Sequence, residues 1–287
     1  MRSSFRALLQ TLNHLLCRFW ARFPSSLDPR LSSRWISAIT FATLVLSLPV
    51  SPHLTLPLSP SPLTAPPSLA SVLDTIFPPS LSKVWYSKAL QHEAPLVSFL
   101  ASLFILAGLQ KATRVLEALA ESSRRLEENP LTGRWAALAM RVREHCRITL
   151  PDPQIVVALM QKTAVGVPKV EVKKKSSRSK EKAVKMDVDK VEETPAKEEK
   201  EDGGRHLRTN VALRLLWLYH RVVPSLISTL RFDFARLPQA HVAKSDAEGI
   251  RAISSAYALR LAAIHSSGLS WSRPGMLAFL SVRLSKY

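Results

Sequence analysis

The stretch Lys83–Lys162 constrains the fold more than any other part of the chain. It reads as two long helical patterns, each with a wide apolar face, joined by the polar turn Glu128-Asn129-Pro130 and followed by a Pro-Asp-Pro start to a third. In the first, from Pro95 to about Arg125, Leu96, Leu100, Leu103 and Ala107 give nearly all-round hydrophobicity. Further on, Lys111, Arg114, Glu117, Glu121 and Arg125 form a polar face. A helix that begins buried and ends amphipathic suits packing between two layers. In the second, Arg134 to Arg147, Trp135, Leu138, Val142 and Cys146 share one face, and Arg141, Arg143, Glu144 and Arg147 share the other. Asp152 is placed to cap the third helix at its N-terminus. Helices that need neighbours to cover their faces point to a stacking scaffold.

The remaining chain fits an all-α protein. Twenty prolines against eight glycines, with the prolines clustered, punctuate helices and fill loops; they do not suggest a sheet. Leu69 to Phe77 and Leu81 to Leu90 read as short helices, the second anchored by Val84, Trp85 and Leu90. The run Trp35–Val50 is the most hydrophobic, but it stops at Pro49 after about 15 residues, short of the ~20 that a membrane span needs. It is read as a buried helix, and a membrane is not expected as a partner.

Four segments follow from composition. Residues 1–30 make a basic amphipathic N-terminal helix, with Arg2, Arg6, Arg18 and Arg22 and no acid before Asp28. Such a segment serves equally as a mitochondrial presequence, a membrane-surface helix or the end of a helical array. Residues 31–162 form a helical repeat segment with a Pro-rich loop at 49–68. Residues 163–206 lose their aromatics and fill with lysine, glutamate and serine, a composition that predicts disorder. Residues 207–287 resume the helical repeats, with Val211, Leu215, Leu218, Tyr219, Val222 and Val223 in one stripe and Arg214 and Arg221 outside it. A further helix spans Ala252–His265, a loop spans Gly268–Gly275, and a last helix, Met276–Leu284, reads as unfinished, the expectation being a fragment of a longer array.

The formal charge of +18 directs attention to polyanions. The charged segment is polarised, with lysines and arginine first (Lys173, Lys174, Lys175, Arg178, Lys180, Lys182) and acids after Asp187. A run of this kind serves nuclear import, rests on phosphates, or is simply solvated. Cys17 and Cys146 are far apart and in no Cys-x-x-Cys pair, which argues against a disulfide framework or a zinc site. There is no Gly-x-Gly phosphate loop, no His-Glu-x-x-His helix and no Gly-x-Ser-x-Gly elbow. The expectation is therefore no catalytic residue, no metal, no cofactor and no small-molecule substrate.

KVWYSKALQHEAPLVSFLASLFILAGLQK (83–111), followed by LPDPQIVVALMQK (150–162), resembles the N-terminal region of the nucleolar pre-ribosomal-associated protein 1 family. WISAITFATLVLSLPV (35–50) and LRLLWLYHRVVPSLISTLRFDFARL (213–237) look like neighbouring parts of the same region. Where the family often has glycine before the leucine of the first passage, this chain has Ala89. The resemblance implies a HEAT/armadillo-like α-solenoid segment, here interrupted by the disordered charged insert. It also implies a non-enzymatic role in early assembly of the large ribosomal subunit, in the nucleolus, with pre-ribosomal RNA and assembly factors as partners. Arg134, Arg141, Arg143 and Arg147, with the lysine run, are then the candidate phosphate contacts. The alternatives are a mitochondrial helical protein led by its Arg-rich N-terminus, with or without membrane association through Trp35–Val50, and a protein-binding adaptor that uses the Pro-rich loop and the acidic run.

Overall fold

The computed structural model describes residues 18–24, 27–50, 54, 65–129, 131–165, 195–234, 237 and 248–265. Among the described residues the regular elements are helices and there is no strand. A helical segment at 18–22 precedes α1 (Ser33–Ser47), α2 (Leu69–Ile76), α3 (Lys83–Leu90) and α4 (Pro95–Arg125). Then come α5 (Arg134–Thr149), α6 (Pro153–Val165), α7 (Pro195–Val222), α8 (Pro224–Ser228) and α9 (Glu248–His265). The chain is all-α.

Helix starts follow local chemistry. Ser32, Ser68 and Ser82 each accept a hydrogen bond from a backbone N–H three residues on, at 3.3, 3.3 and 3.4 Å, capping α1, α2 and α3. Proline opens α4, α6, α7 and α8, where its missing N–H costs nothing and its fixed φ is already helical. Asp152 Oδ1 accepts from Gln154 N at 2.8 Å, the N-cap expected for α6.

Two helices organise the packing. α4, 31 residues long, packs against α1, α2, α3, α5 and α7. α7 packs against α4, α6, α8 and α9. One continuous core results, running from Trp20, Phe23 and Leu27 through Ile105 and Tyr219 to Leu261. The N-terminal residues are tied in by a hydrogen bond from Trp85 Nε1 to the Leu27 carbonyl, at 2.6 Å. Around Phe104, the rings of Trp85, Tyr86 and Phe77 form an edge-on and stacked aromatic cluster with centroid separations of 5.3 to 6.3 Å.

Several expectations are corrected. The charged segment expected to be disordered over 163–206 is helical at both ends, because α6 continues to Val165 and α7 begins at Pro195. Pro195 at the first helical position suits the early start. Residues 166–194 lie outside the described residues. Lys111, assigned to the polar face of α4, is buried, and Val84, assigned as an anchor, is exposed. α1 is buried along one face only, through Trp35, Ile39, Ala42 and Leu46, while Phe41 and Leu44 are exposed. Among the described residues α4 alone is long and apolar enough to cross a membrane, and 67% of its most apolar window is covered by other helices. Residues 1–17, most of the Pro-rich loop at 49–68, the Gly268–Gly275 loop and the Met276–Leu284 helix lie outside the described residues.

Candidate functional site

The arginine-rich outer face of α5 is built by burying its other face. Trp135, Leu138, Val142 and Cys146 are inside, as the periodicity predicts, which leaves Arg134, Arg141, Arg143 and Arg147 exposed with Glu144 among them. Burial pushes the Cys146 thiol up to about 12, so it stays protonated and inert. His145, the next residue, lies on the exposed side with its pKa lowered by partial desolvation, so the two do not face each other.

The four arginines differ in what they already hold. Arg134 Nε donates to Glu128 Oε1 at 3.1 Å, while Glu128 Oε2 accepts from Trp135 N at 3.2 Å, so Glu128 caps α5 and is itself neutralised. Arg143 Nη1 donates to the carbonyls of Arg221 and Val222 at 3.2 and 3.3 Å, closing the C-terminus of α7 where a cation is favoured. Arg147 forms a two-point pair with Glu144 at 2.8 and 2.6 Å, which holds the Glu144 carboxyl below the ordinary range. Arg141 is exposed on the same face. Met140 and Ile148 are exposed beside these arginines, so the face mixes positive charge with apolar surface. Lys173, Lys174, Lys175, Arg178, Lys180 and Lys182, the other candidate contacts, lie outside the described residues.

A second feature escaped the sequence reading. A cavity of about 210 Å³ opens where the α3–α4 junction meets α6 and α7. Leu90 and Pro95 form one wall, Ile155 and Leu159 another, and Lys162 and Arg208 come to it from α6 and α7. Arg208 Nε is buried, and among the described residues no group accepts from it. Lys162 and Arg208 lie 46 residues apart across the charged segment, so no local pattern could have joined them. Among the described residues no group of three or more His, Cys, Asp or Glu is placed to hold a metal ion.

Comparison with protein-family models, with curated proteins and with solved structures returns no match to this chain. The class that the structure defines is an all-helical protein with one continuous core and a basic outer helix.

Proposed function

We propose that the chain is a non-enzymatic helical scaffold in early assembly of the large ribosomal subunit, acting on pre-ribosomal particles in the nucleolus. The observation that carries this reading is the order of the passages at 83–111 and 150–162, which resemble the N-terminal region of the nucleolar pre-ribosomal-associated protein 1 family. They fold as α3, α4 and α6, helices whose apolar faces are buried against neighbours. The HEAT-like solenoid belongs to the same proposal, with α4–α5 and α6–α7 as its packed helix pairs. Pre-ribosomal RNA meets the exposed arginines of α5 and the lysine run, and assembly factors meet the remaining surface.

The experiment is purification of the tagged protein from cells, sequencing of the bound RNA, and imaging of the same tag at the C-terminus. The expected outcome is nucleolar signal and enrichment of large-subunit precursor RNA. Association should fall steeply with salt, as phosphate contacts do, by roughly tenfold or more between ~50 and ~200 mM. It should weaken in Lys173→Ala/Lys174→Ala/Lys175→Ala. Mitochondrial signal that disappears on deleting residues 2–17 would replace this reading with the mitochondrial one. That deletion stops short of Trp20, Phe23 and Leu27, which are part of the core.

A further inference from the structure

From the cavity between the α3–α4 junction, α6 and α7, we infer that this protein carries a docking pocket for an acidic peptide segment with an apolar anchor residue. The pocket does not depend on the ribosome-assembly reading, since it rests on wall chemistry and charge alone.

The lining includes the apolar Leu90, Pro95, Ile155 and Leu159, together with the buried Ser98 and Thr163, whose hydroxyls already donate to helix carbonyls. An apolar cavity of about 150 Å³ holds a benzene molecule, so about 210 Å³ accommodates a Leu, Met or Phe side chain. Among the described residues that line the cavity, Lys162, Arg205 and Arg208 are basic and Glu93 is acidic, with Arg205 already engaged in an interaction of its own. Arg208 Nε is a buried donor that no group among the described residues accepts from, an unfavourable arrangement. A carboxylate is one of the acceptors that a guanidinium N–H binds strongly. The N-terminus of α4 adds to the same field, because it begins at Pro95 with no acidic residue in its first turn and no side-chain cap. His92 is turned back on the chain, its Nδ1 accepting from Ala94 N at 3.0 Å.

These features select a peptide over RNA. Nucleic-acid backbones are met by cations projecting from open surface, and single-stranded bases by exposed aromatic rings. No Phe, Tyr or Trp lines this cavity. An apolar side chain inserted into the cavity, with flanking Asp or Glu on Arg208 and Lys162, satisfies both the wall and the rim.

The test uses the full chain and a fluorescein-labelled peptide in which Leu-Phe is flanked on each side by Asp-Glu, followed by fluorescence anisotropy. Saturable binding is expected. It should weaken about tenfold or more when Asp-Glu becomes Asn-Gln, when Leu-Phe becomes Ser-Ser, and in Arg208→Gln, the factor expected for one charge-assisted hydrogen bond or one buried anchor. Ala158→Trp, at an exposed helix position on the cavity lining, should block binding without touching the core or the charge. It decides the matter if Arg208→Gln loses helicity. The pocket is refuted by absence of binding, or by equal binding to the Ser-Ser peptide, which would reflect net charge alone. It is likewise refuted by binding that Ala158→Trp leaves unchanged. A single-stranded RNA oligonucleotide that binds in an Arg208- and Ala158-dependent way, where the peptide does not, would reassign the cavity to nucleic acid.

Discussion

Lys111 is 2% exposed in the middle of α4, and its Nζ has no hydrogen-bond partner. Desolvation first, and the nearby Arg114 second, bring its pKa down to about 8. Between about 8 and the ordinary lysine value the unfolded chain binds the proton and the folded chain does not, so stability rises with pH across that window. Below it both states are protonated and the full burial cost is present. The size of the rise is on the order of 3 kcal/mol. Lys111→Met should therefore unfold at higher urea than the parent at pH 7, and the gap should narrow by pH 10. Equal urea midpoints for the two proteins at both pH values would show that Lys111 reaches water. Sequence reading placed Lys111 among solvated residues because it begins the polar stripe that Arg114, Glu117 and Glu121 continue. Which of two adjacent helix faces a neighbour covers is a tertiary fact. Gly108, one turn earlier on α4, is closely covered by a neighbouring ring. A Cβ there would lie 2.2 Å from Cε1 of Phe77, whose ring is itself buried against Tyr86. Replacing a helix glycine by alanine normally gains up to about 1 kcal/mol, but overpacking costs about 1–3 kcal/mol. Gly108→Ala should thus destabilise, and in a Phe77→Leu background the same change should become neutral or favourable. A denaturation double-mutant cycle reads the coupling.

Helix ends were the most legible features of the sequence, because aspartate and proline act locally. Pro95, Asp152 and Pro224 sit where the pattern put them, and the buried stripe of α5 matches its expected residues one for one. The start of α7 was hidden, since a lysine–glutamate composition serves a helix and a disordered segment alike. The end of α4 was also hidden in its details. Glu128 N donates to the Ser123 carbonyl at 3.0 Å and Glu127 N to the Arg124 carbonyl at 3.1 Å, the double bond of a Schellman closure. Glu127 occupies its left-handed position with φ 52, where glycine is the usual residue. Glu127→Gly should raise the urea midpoint by an amount equivalent to about 0.5–1 kcal/mol, the relief of left-handed strain less the added freedom of the unfolded chain. A lowered midpoint would mean that the Glu127 side chain contributes more than its backbone costs. The turn that follows is set by Asn129, whose Oδ1 accepts from Leu131 N at 2.8 Å, and by Glu128 reaching the first turn of α5. That pairing makes α4 and α5 a unit, and it fixes which way the arginines of α5 face.

At the scale of the whole molecule the sequence supplied helices and their apolar faces but not their partners, because Leu and Val stripes are interchangeable as packing surfaces. The polar bonds that choose partners span long separations. Tyr219 Oη donates to the Pro151 carbonyl at 3.0 Å, Arg221 Nη2 pairs with Glu117 Oε1 at 2.8 Å, and the Thr163 and Thr209 hydroxyls meet at 3.1 Å. Each of these, like the bond from Arg143 to the end of α7, joins a residue before the lysine-rich segment to one after it. Beneath them Val211, Leu215 and Tyr219 of α7 are buried in the core that α4 and α6 share. The two parts of the chain should therefore hold together without a covalent link. The composition of residues 166–194 predicts trypsin cleavage among Lys169–Lys185 ahead of the packed helices, where backbone hydrogen bonding protects the bonds. After brief digestion the two fragments, separable by denaturing electrophoresis, should co-elute at the intact size in native gel filtration and keep the helical circular-dichroism signal of the uncut protein. They should come apart only in denaturant, because release exposes the apolar faces of α4, α6 and α7 together. Fragments that elute separately while both remain helical would show that the buried face of α7 is dispensable, and the chain would be two units, not one.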